Sequence, residues 1–223
     1  MMRENLTLKT VLPSILLILV CLAGLLALSQ VATGPQPHAL DQQILLSLRT
    51  PGNLSDPLGS PSFEGKVRDI TALGSVAVLT LFTTLGVLSL WIAGKWRIGL
   101  FALATIGGGQ IVSSLAKLLV DRQRPDVVPH MMVETSLSFP SGHAMMSAVV
   151  YLTLAALLAR LTPLKPLKVF LWGSGVLVAV LVGLSRLYIG VHWPSDVLAG
   201  WCLGVAWVTF CLLVGRSFLP AAR

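Results

Sequence analysis

SFPSGHAMMSAVVYLTLAALLARL, residues 138–161, holds two messages in one run. From Ala144 to Ala159 it carries no charge, and a helix needs about 20 predominantly apolar residues to cross a hydrocarbon core of about 30 Å. Yet it opens on Pro140, Ser141, Gly142 and His143, which have no business in lipid. A histidine at the mouth of a membrane helix, behind a small-residue turn, asks for a polar partner.

The rest of the chain repeats the apolar message. Of 223 residues, 55% are hydrophobic and only 11% charged, with a mean hydropathy of +0.83, which is more apolar than a soluble domain of this length requires. Runs long enough to span a membrane fall near 11–32, 70–93, 98–120, 141–161, 169–187 and 195–213, which predicts an all-α polytopic membrane protein, a bundle of six transmembrane helices. The first run is too long for a signal-peptide core and is read as an uncleaved helix. Residues 1–223 form one integral-membrane domain on this reading. Cys21, Cys202 and Cys211 all lie in apolar spans, the last two on nearly opposite helix faces, so neither a disulfide framework nor a zinc pattern is expected.

The net charge of +7 is a matter of orientation. Arg3, Lys9, Lys95, Arg97, Arg160, Lys165, Lys168, Arg216 and Arg223 fall on one set of connections against the single acid Glu4, whereas the opposite set mixes seven basic residues with eight acids. Lys/Arg excess marks the cytoplasmic side, so both termini are expected there, in a cell inner membrane. A nucleic-acid partner has neither a basic groove nor a recognition motif in its favour. Residues 33–69 are then an external connection, in which Leu40, Ile44, Leu45 and Leu48 predict a short amphipathic helix, either lying on the outer surface or packing over the bundle mouth.

Ionisable groups at the ends of spans are functional candidates. Lys117 and Arg124, seven residues apart, would share a helix face that Pro125 terminates, with Asp121 expected to pair with Lys117. Pro140 is expected to start the fourth span, leaving the amides of Ser141, Gly142 and His143 at the positive end of the helix as an anion site. Arg186 ends the fifth span, and His192 follows on a short external turn, with Asp196 close enough to fix one imidazole nitrogen and leave the other as a nucleophile. Trp193 is expected at the membrane interface. Gly107 to Gly109 lie mid-span and predict close helix packing rather than a phosphate loop. Three cations, a helix N-terminus and two histidines thus gather on one side of the membrane, and could neutralise a phosphoryl group in transfer. No acidic cluster suggests a metal.

KLLVDRQRP, PSGH and SRLYIGVHWPSD together resemble the three-part signature of the type 2 phosphatidic-acid phosphatase superfamily, K-x6-R-P, P-S-G-H and S-R-x5-H-x3-D, with all eleven fixed letters present across residues 117–196. The resemblance implies a metal-independent, cofactor-free lipid phosphatase that passes through a phosphohistidine. In that scheme His192 attacks phosphorus, Asp196 orients it and His143 protonates the leaving oxygen, while Lys117, Arg124, Ser141, Gly142 and Arg186 hold the phosphate. Arg122, outside the fixed letters, is a candidate for a second phosphate or a head group. Among bacterial relatives of this size the implied substrate is undecaprenyl diphosphate, cleaved to the monophosphate in carrier-lipid recycling at the external face. Phosphatidate or phosphatidylglycerol phosphate is the alternative. A membrane transporter, the reading of another class, would place charges or broken helices near the midplane rather than at span ends. Soluble haloperoxidases and acid phosphatases share the signature but not the six spans.

Overall fold

The computed structural model describes residues 8–34 and 39–219; Arg3, Glu4 and Arg223 of the charge count lie outside the described residues. The protein is a multi-pass helical membrane protein. Its elements run α1 (Leu8–Ala32), α2 (Ala39–Ser47), β1 (Arg49–Thr50), β2 (Asn53–Pro57), α3 (Pro61–Ala72), α4 (Val76–Ile92), α5 (Trp96–Leu119), α6 (Gly142–Leu161), α7 (Lys165–Ile189) and α8 (Pro194–Val214), then a short 3-10 turn. Among the described residues, five helices are long and apolar enough to cross a membrane, or six if α3 and α4 count as one bent span.

The centre of the bundle is α6, 72% buried along its apolar window, against 6% for α1 at the periphery. Lipid tails are as apolar as leucine, so close packing rather than water exclusion holds membrane helices together. Here α6 meets α7 and α8 through small residues: a β-carbon on Gly200 would stand 2.6 Å from the Ser141 carbonyl oxygen, and one on Gly204 2.8 Å from that of Met145. Of the three α5 glycines, Gly108 packs against Trp207 and Gly109 against Val149 as expected, whereas a β-carbon on Gly107 would meet nothing within 4 Å. Indole donors tie further pairs, Trp207 Nε1 to the Thr105 carbonyl at 2.7 Å and Trp201 Nε1 to that of Ala179 at 3.1 Å.

The expected span at 70–93 is broken. Its first residues, 70–72, end α3, which meets α4 at 50°, because Ser75 caps α4 with its hydroxyl on the Val78 amide while the Gly74 amide closes a turn on Thr71. A break at membrane depth frees carbonyls that need partners. Tyr151 of α6 supplies one, donating its hydroxyl to Leu73 O at 2.9 Å. Gly74 and Ser75 were the available sequence signals.

A second correction concerns α5, which ends at Leu119, leaving residues 120–141 irregular apart from turns. Arg124 therefore shares no helix face with Lys117. In a continued helix Arg122 and Arg124 would point about 200° apart; the irregular chain instead lets both guanidinium groups converge on the corner between α7 and α8. Asp121 is exposed, and Lys117 binds the Ser136 hydroxyl (3.1 Å) and the Leu137 carbonyl (2.7 Å) instead of it.

Residues 39–72 fold over the same end of the bundle. Of the stripe expected on α2, Leu45 is buried against Trp193 and Val197, with Leu48 beside it, while Leu40 and Ile44 face outward. The buried face continues through Asp41 at i−4 from Leu45. The segment packs over the bundle mouth. It is fastened to α7 by Arg49, which donates to the Tyr188 carbonyl at 2.9 Å and so satisfies a helix-terminal acceptor. Gly190, at φ +85°, caps α7 where a β-carbon would come within 2.7 Å of Arg49 Nη2.

Candidate active site

The corner between α7 and α8 places His192. α7 is capped by the left-handed Gly190, and Pro194 starts α8 after Val191, His192 and Trp193, so the imidazole is held between two helix termini. The turn is short, as expected, and His192 on it is only 2% exposed. Its Nδ1 lies 3.4 Å from Asp196 Oδ2 and its Nε2 3.3 Å from Arg124 Nη1. A cation cannot accept a hydrogen, so the network assigns the proton to Nδ1 and the lone pair to Nε2, facing the arginine. Burial pushes the His192 pKa down to about 4, with Arg124 and Arg186 adding to the effect and Asp196 opposing it. The ring is accordingly neutral near pH 7.

Asp196 is fully buried at the first turn of α8. Its Oδ2 accepts from the Trp193 amide at 2.9 Å and from the Ser138 hydroxyl at 2.5 Å, as well as facing His192. Its Oδ1 accepts from Arg122 at 2.6 Å.

Around Nε2 stands a cationic cradle. Arg124 is anchored by the carbonyls of Ser136 (2.8 Å) and Val191 (2.7 Å). Arg186 is fully buried; one Nη donates to Thr71 Oγ1 at 3.1 Å, and its Nε is a buried donor with no protein partner. Glu134 closes the cradle, paired with Arg186 and 3.6 Å from Arg124. Burial works against the charge of Glu134, but the two arginines outweigh it and hold the carboxyl below its usual range. A carboxylate thus stands where the cations could hold a phosphoryl group.

The N-terminus of α6 forms the remaining wall. Ser141 is its N-cap, following the cis Phe139-Pro140 peptide, so Pro140 does not occupy the first helical position. The Ser141 amide is also not free, since it donates to the Asp196 carbonyl at 3.0 Å, and its Oγ lies 3.5 Å from the Ala144 amide. That bond docks α6 on the first turn of α8. Gly142 faces the lysine: a β-carbon there would lie 3.7 Å from Lys117 Cε. The His143 ring packs beside Gly74 at the break between α3 and α4, near enough to Arg186, Glu134, His192 and Arg124 to feel their charges.

Eight of the nine residues singled out from sequence therefore converge on this pocket, though Ser141 offers its hydroxyl rather than its amide. Arg122, the ninth, does not reach it. Its guanidinium is buried and committed, Nη1 to Asp196 and to Ser195 Oγ at 2.7 Å, Nη2 to Asp41 at 2.9 Å, with the plane 5.4 Å from the Trp193 ring centre. It is spent on carboxylates and is not available to a second phosphate. Trp193 is likewise buried, not interfacial, and donates to the Gln123 carbonyl at 3.2 Å. Sequence reasoning passed over Asp41, Thr71, Glu134 and Ser138. Only Asp41 left a trace, as the acid sharing a helix face with Leu45 and Leu48.

The profile of the PAP2 superfamily matches residues 98–218. The chain belongs to the PAP2 superfamily. Among its relatives, phosphatidylglycerophosphatase B of Bacillus subtilis is 38% identical over 138 residues, 61% of this chain and 67% of that protein. An undecaprenyl-diphosphatase of Sulfolobus acidocaldarius is 36% identical over 118 residues, 51% of this chain, so the aligned part spans about half (52%) of that relative's length. The crystal structure of a transmembrane PAP2-type phosphatidylglycerolphosphate phosphatase from Bacillus subtilis superposes with a TM-score of 0.78 at 28% identity, covering 87% of this chain and 93% of that one. This PAP2 protein is a lipid phosphatase, and the resemblance drawn from the three motifs holds.

Proposed function

We propose that this lipid phosphatase removes the terminal phosphate of undecaprenyl diphosphate through a phosphohistidine on His192. The observation that carries the mechanism is the imidazole clamped with Nδ1 on Asp196 and Nε2 turned to Arg124. His192 Nε2 attacks phosphorus and forms the N–P bond as the bond to the lipid oxygen breaks; His143 gives that oxygen its proton. Water then attacks the phosphohistidine, losing a proton to His143, the N–P bond breaks and inorganic phosphate leaves. Arg124, Arg186 and Lys117, with the Gly142 amide and the Ser141 hydroxyl, stabilise the equatorial oxygens. The reaction is metal-independent on this reading: Lys117, Arg124 and Arg186 supply the charge a metal would.

α3 and α4 count as one bent span, giving six, with residues 1–223 as one domain, both termini cytoplasmic and the pocket at the external face of the inner membrane. The separation of charge supports this: Lys95, Arg97, Arg160, Lys165 and Lys168 lie at the helix ends away from the pocket. The connection over residues 33–69 is external. The lipid tail stays in the bilayer while its terminal phosphate enters beside α6. The Sulfolobus relative supports the diphosphate, and the Bacillus relative with its solved counterpart favours a second reading, phosphatidylglycerol phosphate.

Phosphate release with EDTA present, from undecaprenyl diphosphate, phosphatidylglycerol phosphate and phosphatidate in parallel, separates these readings. Preference for the diphosphate is expected; release only from the glycerol phosphates overturns it. A radiolabelled, acid-labile and base-stable adduct, absent from His192→Ala, is the expected mark of the phosphohistidine.

A further inference from the structure

The residue on α2 that sequence reasoning overlooked is a buried carboxylate with three hydrogen-bond donors around it. Asp41 is 4% exposed. Its Oδ1 accepts from the Ser195 amide at 2.9 Å, and its Oδ2 accepts from Arg122 Nη2 at 2.9 Å and from the Ser195 hydroxyl. Arg122 in turn holds Asp196 Oδ1, while Asp196 Oδ2 faces His192. A chain of alternating charge, Asp41, Arg122, Asp196, thus runs from the outer connection to the imidazole. α2 lies outside residues 98–218 matched by the family profile.

We propose that Asp41 is a positioning residue of the active site, which acts through Arg122 to set the orientation and effective charge of Asp196 and thereby the basicity of His192. The inference rests on the reading of His192 as nucleophile. An arginine bound to Asp196 alone would cancel much of the negative charge that Asp196 offers the imidazole. Asp41 offsets that arginine, so the buried trio carries a net charge of −1 and Asp196 keeps its field on His192. Simple fastening of α2 to the bundle would use the same bonds but would not require the charges to alternate.

The other charges around His192 come from every neighbouring element: Arg124 and Glu134 from the connection between α5 and α6, Arg186 from α7, His143 from α6, with Lys117 of α5 acting on Asp196. None changes in the variants that test the idea. The acid limb of kcat/KM is compared with one lipid substrate, so that substrate ionisation is common to all proteins. Asp41→Asn exposes Asp196 to an uncompensated arginine and moves the limb to lower pH, by about half a unit to one unit at an effective dielectric near 20, with about a tenfold loss at the plateau. Arg122→Gln moves it to higher pH, and Asp41→Asn/Arg122→Gln returns it toward wild type. Asp41→Glu, which keeps the charge, retains the wild-type limb and stands in for Asn if that protein does not purify: a limb displaced in Asp41→Glu counts against the proposal.

Equal limbs in wild type, Asp41→Asn and the double variant, whatever their plateau rates, would make Asp41 a structural fastening and overturn the inference. His192→Ala runs beside them. Full activity there removes the nucleophile assignment itself, whereas an inactive His192→Ala with unmoved limbs elsewhere removes only the role of Asp41.

Discussion

Two regions of the molecule meet at the pocket and are written into the chain in different ways. Residues 117–196 bring reactive groups from the ends of α5, α6, α7 and α8 and from the connection between them, while residues 39–75 bring Asp41, Thr71 and Gly74, none of which would react with a phosphate. The first region depends on residue identity, because the proposed phosphoryl transfer uses an imidazole, guanidinium groups and a helix terminus. The second depends on contact. Asp41 matters because it meets Arg122, Thr71 because it meets Arg186, and Gly74 because His143 lies beside it. Chemistry leaves a pattern of letters and spacings, whereas support leaves only a burial pattern that many sequences satisfy.

The comparison breaks most directly at His192. If the first region alone carries the reaction, His192→Ala lowers kcat by about 10⁴ or more, the scale of losing a nucleophile whose partners act as a unit. Steady-state phosphate release measures it. Retained turnover would mean that Nε2 facing Arg124 is not the attacking atom.

His143→Ala sharpens the substrate assignment. Its proton matters in proportion to the basicity of the leaving oxygen, so loss of about 10²- to 10⁴-fold is expected on a glycerol phosphate monoester, whose leaving group is an alkoxide. A smaller loss is expected on a diphosphate, whose leaving group is already a phosphate. Equal losses on both would point to a role for His143 in holding the pocket against Gly74 rather than in proton transfer.

The apolar spans and the three motifs were legible because bilayer thickness and phosphate chemistry constrain them tightly. The bend at Leu73 to Ser75 was not, since the apolar run from Ile70 to Ala93 passes across it without interruption. Nor was the end of α5 at Leu119: VDRQ after it is compatible with helix, and only the convergence of Arg122 and Arg124 on the α7–α8 corner, Arg122 on Asp196 and Arg124 on the Val191 carbonyl, forbids one. Arg122 was misread for the same reason. A lone arginine beside a phosphate motif looks like a ligand for phosphate until Asp41, eighty-one residues earlier, is seen to occupy it.

Burial of His192 gives a prediction on the scale of pH. Its pKa is pushed from 6.5 to about 4, so imidazole nitrogen NMR of the labelled protein, assigned by difference from His192→Ala, should show this ring neutral down to about pH 5. The sign for stability follows. Between 6.5 and about 4 the unfolded chain binds this proton and the folded chain does not, so the histidine's contribution favours folding above that window and is lost as pH falls through it. A titration at the ordinary value would mean that the corner opens to water.

The smallest expected effect falls at Glu134, which belongs to neither region cleanly. It lies between Lys117 and His143 in sequence, yet carries no letter of the motif, and its carboxylate engages Arg124 and Arg186, the two arginines proposed to hold the phosphate. If it only holds those arginines apart until substrate arrives, Glu134→Gln removes a competing anion and lowers KM, or the inhibition constant of orthovanadate, by about two- to tenfold with kcat little changed. The direction is fixed by charge, since an amide neither repels the incoming phosphate nor neutralises Arg124 and Arg186. If Glu134 instead fixes the arginines for catalysis, the same variant raises KM and lowers kcat together, because Arg186 would then depend on Thr71 and Met132 alone for its position. The sign of the KM change therefore decides whether the connection over 120–141 works as a guard on the anion site or as part of its frame.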